Sequence, residues 1–290
     1  STLTAVTGVR QGRTGHRWAC GTGEGGARLQ HYLVIKCGGS TLEQLPAGFY
    51  EELARLPEAG WRPVVVHGGG PVINGLLRRL NVESRFENGL RVTDGATLEV
   101  VEMALAGLTN KQLVGRLLAA GGRAVGLSGV DGRLLAAETA DERLGFVGRV
   151  TAVNTELIHG LADRGYIPVI ASLGISAAGQ HLNINADTAA GAVAAALGAE
   201  KLLLLTDVEG VYVQENGQKR WLRHLSPAEA EAYIADGQIQ GGMIPKVRAA
   251  LDVLAQGVEE VAILPGASAG AMSRFLQGEE VGTAFRMPQG

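Results

Sequence analysis

The sequence predicts an α/β fold, a three-layer αβα sandwich around a mostly parallel central sheet. Three observations predict it. Short aliphatic runs such as 33–35, 63–66, 167–171, 201–205 and 261–264 recur along the chain, each of strand length and apolar on both faces. Segments with apolar residues at helical spacing separate them, which is the alternation of βαβ units. Glycine clusters follow the first two runs directly, where a parallel sheet places its ligands.

Residues 1–31 are rich in Gly, Thr and Arg without a period of 2 or 3.6, and a mobile N-terminal extension is expected there. Gly21-Thr22-Gly23-Glu24-Gly25-Gly26 fits G-x-G-x-x-G, but no strand precedes it and no amphipathic helix follows, so a dinucleotide fingerprint is set aside. The strand at 33–35, helix at 49–56 and strand at 63–66 make the first βαβ unit. Pro71 suits a first helical turn and starts a helix to residue 80; helices at 96–105 and 111–119 and a strand at 124–127 follow. Residues 146–153 alternate like an exposed or hairpin strand, 156–164 are helical and 167–171 form a buried strand. Residues 175–184, broken by Ala178-Gly179, read as a hairpin that leads into an alanine-rich helix over 187–197. A strand at 201–205, helices at 227–235 and 243–255 and a strand at 261–264 complete the pattern. A boundary near Gly198, without a long linker, divides an N-lobe (32–197) from a C-lobe (198–290) that share one sheet or a broad interface.

Composition narrows the function classes. At 290 residues and 46% apolar the chain buries a real core, and a net charge of -3 lacks the cationic excess of a nucleic-acid binder. The apolar runs are too short to span a bilayer, and the N-terminal segment shows no apolar secretory core, so the cytoplasm is the expected compartment. Cys20 and Cys37 are the only cysteines; neither fits a disulfide framework and both are expected as free thiols. No Cys or His cluster has metal-ligand spacing, and the P-loop, protein-kinase and G-x-S-x-G signatures are missing.

Lys36-Cys37-Gly38-Gly39 and His67-Gly68-Gly69-Gly70-Pro71 are two strand ends that run into glycines. Such turns aim backbone N–H groups at a ligand, and a following helix N-terminus adds partial positive charge. One glycine turn alone is more simply a tight turn; two on neighbouring strands, with Lys36 at the end of one, favour a phosphate-handling crevice, because a buried ammonium is costly without an anion. Lys246, in Gly241-Gly242-Met243-Ile244-Pro245-Lys246, either serves a second anion site or is a solvated helix residue. Asp187 is either a helix-capping acid or a partner of these lysines, and Asn183 and Asn185 either shape a turn or face a ligand.

These residues, together with Asn88-Gly89-Leu90-Arg91-Val92-Thr93-Asp94, Leu182 to Asp187 and Leu205-Thr206-Asp207-Val208-Glu209-Gly210-Val211, resemble in order the N-acetylglutamate kinases of the amino-acid kinase superfamily. The resemblance covers roughly residues 32–286, and the Asn88–Asp94 stretch carries the substrate class. It implies the carbamate kinase-like fold and phosphorylation of the γ-carboxylate of N-acetyl-L-glutamate by ATP, in arginine biosynthesis. It implies that Lys36, Lys246 and Asp187 are catalytic, with both lysines on the phosphates and Asp187 orienting them. Gly68, Gly69, Arg91 and Asn183 would hold the acyl substrate, and Gly38, Gly39, Thr206, Asp207, Gly210 and Val211 the nucleotide. The chemistry agrees: a carboxylate nucleophile is ionised at neutral pH and needs no base, whereas its approach to a polyphosphate needs positioned cations, N–H groups and Mg²⁺ held mainly by the phosphates. Residues 1–31 show no amphipathic helix, and Ile263-Leu264-Pro265-Gly266-Ala267 lacks an aspartate-glycine-arginine run; both imply a homodimer without arginine control. Cys37 and Ser40 stand where the family commonly has an aromatic residue and an asparagine. Two rival readings are a kinase for carrier-protein-linked α-aminoadipate or glutamate in lysine biosynthesis and a non-catalytic effector-binding module of the same fold.

Overall fold

The computed structural model describes residues 31–289. Expectations for residues 1–30, including Cys20, lie outside them. Eight strands form the main sheet: β1 (Tyr32–Cys37), β2 (Arg62–His67), β3 (Ala124–Ser128), β4 (Ile167–Ala171), β5 (Lys201–Thr206), β6 (His224–Leu225), β7 (Glu260–Pro265) and β8 (Thr283–Arg286). Their order is β6-β8-β7-β5-β1-β2-β4-β3. Six neighbours from β7 to β3 are parallel, and β8 runs antiparallel to β7 at one end. The strands preceding residue 198 occupy one half of the sheet and those following it the other, with β1 and β5 paired at the seam.

Besides a single turn at Thr41–Gln44, the helices are α1 (Ala47–Arg55), α2 (Gly70–Arg79), α3 (Gly95–Glu102), α4 (Asn110–Ala119), α5 (Thr155–Ala162), α6 (Ala186–Leu197), α7 (Pro227–Ala235), α8 (Met243–Ala255) and α9 (Ala271–Leu276). Because alternate strand residues face opposite sides, two cores form. Val34, Val64, Val66, Leu202, Leu204 and Ile263 pack with Ile158, the alanine-rich face of α6 and Val247, Leu251 and Leu254 of α8. Leu33, Ile35, Val65, Val169, Leu203 and Leu264 pack instead with Phe49, Tyr50 and Leu53 of α1, Leu113 and Leu117 of α4, and Met272 and Phe275 of α9. Helix α6 is built of alanine where it crosses β1 and β2, and a Cβ at Gly191 would sit 2.7 Å from Val253. Small side chains there let α6 and α8 approach closely.

The expected gap between helices 96–105 and 111–119 does not exist. Met103–Thr109 is a π-helical stretch that joins α3 to α4 without a break. Ala106 and Gly107 mimic a helix end in sequence, but the widened turn absorbs the register change instead. Residues 175–184 do form the expected hairpin, Leu173–Ile175 against His181–Ile184. With Leu135–Thr139 and Val147–Val153 it closes a small four-stranded barrel beside the carboxyl ends of the main strands. The strand Leu135–Thr139, the hairpin Val211–Glu215 with Gln218–Leu222, helix α9 and strand β8 were not anticipated from the sequence.

Candidate active site

Both glycine turns follow the carboxyl ends of adjacent parallel strands, with Cys37 opposite His67 in the ladder. The chain leaves β1 through Gly38 and Gly39, and a Cβ on Gly38 would stand only 2.9 Å from Lys36 Nζ. Glycine at 38 therefore leaves room for the Lys36 side chain to fold over its own turn. Gly68 has the same role at the next strand, where an added Cβ would lie 3.1 Å from Ala186 Cβ, so the first turn of α6 rests on the β2 turn. Its N–H does not face outward: it donates to the Cys37 carbonyl at 3.2 Å.

At the start of α6 the capping question resolves in favour of Asn185, whose Oδ1 accepts from the Asp187 and Thr188 N–H groups. Asp187 is thereby left with its carboxylate on the first turn, 3.0 Å from Lys36 Nζ. Lys36 is the more buried partner, 15% exposed against 40% for Asp187, so the ammonium is enclosed while the carboxylate keeps contact with solvent. Lys246, in the first turn of α8, is paired with Asp207 at 3.1 Å rather than with Asp187. That contact holds the Asp207 carboxyl below its ordinary pKa, through the Lys246 hydrogen bond and then its charge.

A cavity of about 160 Å³ is lined by Lys36, Gly38, Gly39, Asp187, Thr206, Asp207 and Lys246, with Leu204, Ala249 and Ile263 as an apolar wall. Gly210 and Val211 do not line it. Val211 is fully buried with its N–H donating to Thr283 Oγ1 at 2.8 Å, and Gly210 lies against Gly282 and Thr283. They shape the loop from behind. Lysine ammonium groups, glycine N–H groups and an apolar wall are the donor set that a nucleotide polyphosphate with its base requires.

A second cavity, about 170 Å³, lies on the other side of Lys36. Lys36, Gly38 and Gly39 line both. The second is completed by Gly68, Gly69, Arg91, Asn183 and Ser172, with Leu105, Ile73 and Val147 supplying apolar surface. The Asn88–Asp94 stretch is a local device for delivering the arginine. Asn88 and Gly89, both at positive φ, turn a two-residue hairpin that pairs Phe86 with Arg91, and Asp94 caps α3 through the Thr97 N–H. Arg91 Nη1 donates to Ser84 Oγ at 2.7 Å, and the guanidinium lies 4.5 Å from the Phe86 ring centre. Burial lowers its pKa from the ordinary value, and among the described residues it has no carboxylate partner. Thr93, fully buried, joins Arg91 to Asn183: its hydroxyl donates to the Arg91 carbonyl at 2.9 Å and accepts from Asn183 Nδ2 at 3.3 Å.

Cys37 faces away from both cavities into the core, and burial pushes its thiol up to about 12 despite the neighbouring Lys36. It is an inert packing residue. Among residues that sequence reasoning missed, Leu105 reaches the second cavity from the π-helical stretch, and Ser172 does so from the end of β4. The signal for Ser172 was available, since it directly follows a buried strand; for Leu105 there was none, because its approach to the cavity depends on the widened turn.

A parallel sheet with facing glycine turns, two lysines each held by its own aspartate, and two cavities meeting at one of those lysines defines a small-molecule phosphotransferase of the α/β type. The profile of the amino acid kinase family matches residues 31–265, and the chain belongs to that family. It is 46% identical over 261 residues to the acetylglutamate kinase of Brevibacillus brevis, covering 89% of this chain and 98% of that one. To the acetylglutamate kinase of Thermosynechococcus vestitus it is 50% identical over 237 residues, covering 81% and 80% of the two chains. A solved protein of Streptococcus mutans superposes with a TM-score of 0.76 at 36% identity, over 89% of this chain and 99% of that one. The carbamate kinase of Giardia lamblia bound to AMP-PNP shares the fold, with a TM-score of 0.66 at 18% identity over 90% of this chain and 99% of that one.

Proposed function

We propose that the chain transfers the γ-phosphoryl group of ATP to the γ-carboxylate of N-acetyl-L-glutamate, giving an acyl phosphate and ADP in arginine biosynthesis. The observation that carries this reading is the pair of cavities that abut at Lys36. ATP occupies the first, with Lys36 and Lys246 on its phosphates; the acyl substrate occupies the second, with its α-carboxylate on Arg91. A buried guanidinium without a carboxylate partner gains most from a planar anion that it can bind with two parallel hydrogen bonds.

In the transfer step a γ-carboxylate oxygen attacks the γ-phosphorus, the bond to the β–γ bridging oxygen breaks, and ADP leaves with the electron pair. No proton has to move. The protein's contribution is to offset the charge of two anions forced together, which is the work of Lys36 from between them and Lys246 from the leaving-group side. Asp187 keeps Lys36 in place before the ligands arrive. Asp207 does the same for Lys246, so the two lysines are oriented by separate carboxylates and Asp187 need orient only one. Mg²⁺ would be held mainly by the phosphates and would offset their charge, because both carboxylates of the nucleotide cavity already face a lysine.

The nucleotide lobe is the C-terminal half-sheet and the acyl lobe the N-terminal half, divided near Gly198. The active form is a homodimer, which would cover the exposed Leu80, Met103, Leu108 and Leu118 on the helices from α2 to α4. The buried, unpaired Cys37 suits a reducing cytoplasm.

Coupled ADP release with hydroxylamine trapping tests the reading, with N-acetylglutamate, glutamate, aspartate and carbamate as acceptors. Hydroxamate is expected from N-acetylglutamate in step with ADP. ATP binding without hydroxamate from any acceptor would favour the carrier-linked substrate or a silent effector-binding module.

A further inference from the structure

His67 ends β2 beside the Gly68–Gly69 turn, fully buried, and no step of the phosphoryl transfer uses it. Its ring is nevertheless bonded on both nitrogens. Nδ1 lies 3.0 Å from the Gly68 carbonyl, and Nε2 lies 3.0 Å from Asn110 Nδ2 at the start of α4. Asn110 is itself buried and tied down. Its Nδ2 also reaches the carbonyls of Val169 (3.0 Å) and Leu127 (3.2 Å), in β4 and β3, while its Oδ1 accepts from Lys111 Nζ at 2.8 Å.

The partners settle where the hydrogens are. A flipped Asn110 amide would set its oxygen against two carbonyl oxygens and its NH₂ against an ammonium, so Nδ2 must face the histidine. An NH₂ group only donates, so Nε2 accepts, sharing the two amide hydrogens with the Val169 and Leu127 carbonyls. A carbonyl only accepts, so Nδ1 carries the hydrogen and donates to Gly68 O. Burial pushes the imidazole pKa down to about 4, with the nearby Lys111 charge acting in the same direction against the Gly68 hydrogen bond. The ring is neutral at physiological pH.

The consequence falls on the next peptide. In a trans peptide the C=O and N–H point in opposite directions, and the chain contains no cis bond among the described residues. Holding the Gly68 carbonyl toward the His67 ring therefore turns the Gly69 N–H away from it. Gly69 lines the acyl cavity, and its N–H has no backbone or side-chain acceptor among the described residues. Leu105 and Thr109 close on Gly69 from the π-helical side, where an added Cβ would lie 3.0 Å and 3.2 Å from them.

We propose that His67 and Asn110 are a positioning pair for the acyl cavity: Asn110 holds His67 as its neutral Nδ1–H tautomer, and His67 fixes the Gly68–Gly69 peptide so that the Gly69 N–H faces the acyl substrate. The inference rests on reading that cavity as the acyl-substrate site. It also gives the π-helical stretch a purpose, since that stretch leads directly into Asn110 and buttresses Gly69.

The test pairs nuclear magnetic resonance of ¹⁵N-histidine-labelled protein with substrate-resolved kinetics. Without ligand, the wild-type His67 ring is expected as the Nδ1–H tautomer at pH 7. Asn110→Asp replaces the donor with an acceptor and reverses the tautomer demand. It is expected to reduce kcat/KM for the acyl substrate by about tenfold or more while changing the KM for ATP by less than about twofold. His67→Asn, which puts an amide N–H near the Nδ1 position, is expected to retain more activity than His67→Gln, whose amide falls near Nε2. This comparison decides the matter even if Asn110→Asp fails to fold. An Nε2–H tautomer in the wild type, an Asn110→Asp variant that changes tautomer with unchanged acyl kinetics, or equal activity of the two His67 variants would each overturn the proposal. A wild-type chain inactive toward N-acetylglutamate would overturn the acyl-site reading and the proposal with it; failure of the positioning role alone leaves wild-type turnover intact.

Discussion

Lys36 is the charged residue that both cavities share, and its chemistry follows from where the strand ends. Near the end of a buried strand it is 15% exposed, too enclosed to be a solvated surface charge, and it is held by Asp187 on the helix that rests above it. Lys246 is more open and reaches the same cavity from the opposite half of the sheet. In the proposed transfer its role is in the transition state. Lys246→Ala should lower kcat about 10²–10³-fold with little change in either KM, by analogy with loss of a single oxyanion donor. Steady-state ADP release measures this, and an unchanged kcat removes Lys246 from phosphoryl transfer. In the same proposal Arg91 serves ground-state binding of the acyl substrate. Arg91→Ala should raise the KM for the acyl substrate about 10–100-fold, the cost of a charged hydrogen-bonded pair, with the KM for ATP nearly unaffected. An effect confined to ATP would contradict the assignment of the two cavities.

At the scale of elements, the site is made by short segments whose sequence does one local job each. The glycine turns after β1 and β2 were legible because consecutive glycines directly after a buried aliphatic run stop the strand and turn the chain sharply at its carboxyl end. The hairpin that presents Arg91 was marked by Asn88-Gly89, a dipeptide suited to two consecutive positive φ values. The π-helical stretch was not legible. Met103–Thr109 carries no sequence mark of a widened turn, which is set by the contacts that Leu105, Thr109 and Asn110 make with Gly69 and β4, distant in sequence. Those contacts also account for Gly126 in β3, where a Cβ would meet Asn110 Oδ1 at 2.1 Å and Lys111 Nζ at 2.5 Å. Gly126→Ala should therefore destabilise the fold by about 1–3 kcal/mol through overpacking, read as a lower midpoint in urea unfolding. A midpoint equal to that of the wild type would mean that α4 yields without cost.

Over the whole molecule, the eight-stranded sheet places residues distant in the chain, from Lys36 to Lys246, around one line of carboxyl ends. Alternating aliphatic runs made this class legible, and both parallel neighbours of β1 could be anticipated in kind, although their order could not. The antiparallel strand β8, between β7 and the edge strand β6, escaped notice because Thr283–Arg286 is short and has no repeated period; its pairing with β7 is settled by tertiary packing. In the proposed homodimer the exposed Met103 and Leu108, about half accessible, would be covered by the second copy. Substituting both with glutamate should convert a dimer to a monomer in sedimentation equilibrium; a wild-type monomer would refute the association. In the proposed reaction a substrate carboxylate in the second cavity attacks the phosphorus of ATP held in the first. Reaction of ATP with N-acetyl-L-glutamate carrying ¹⁸O in its γ-carboxylate, followed by ³¹P nuclear magnetic resonance, tests it most directly. An acyl-phosphate resonance shifted by ¹⁸O in the bridging position, formed in step with ADP, is expected. Release of ADP with unlabelled phosphate and no acyl phosphate would contradict it.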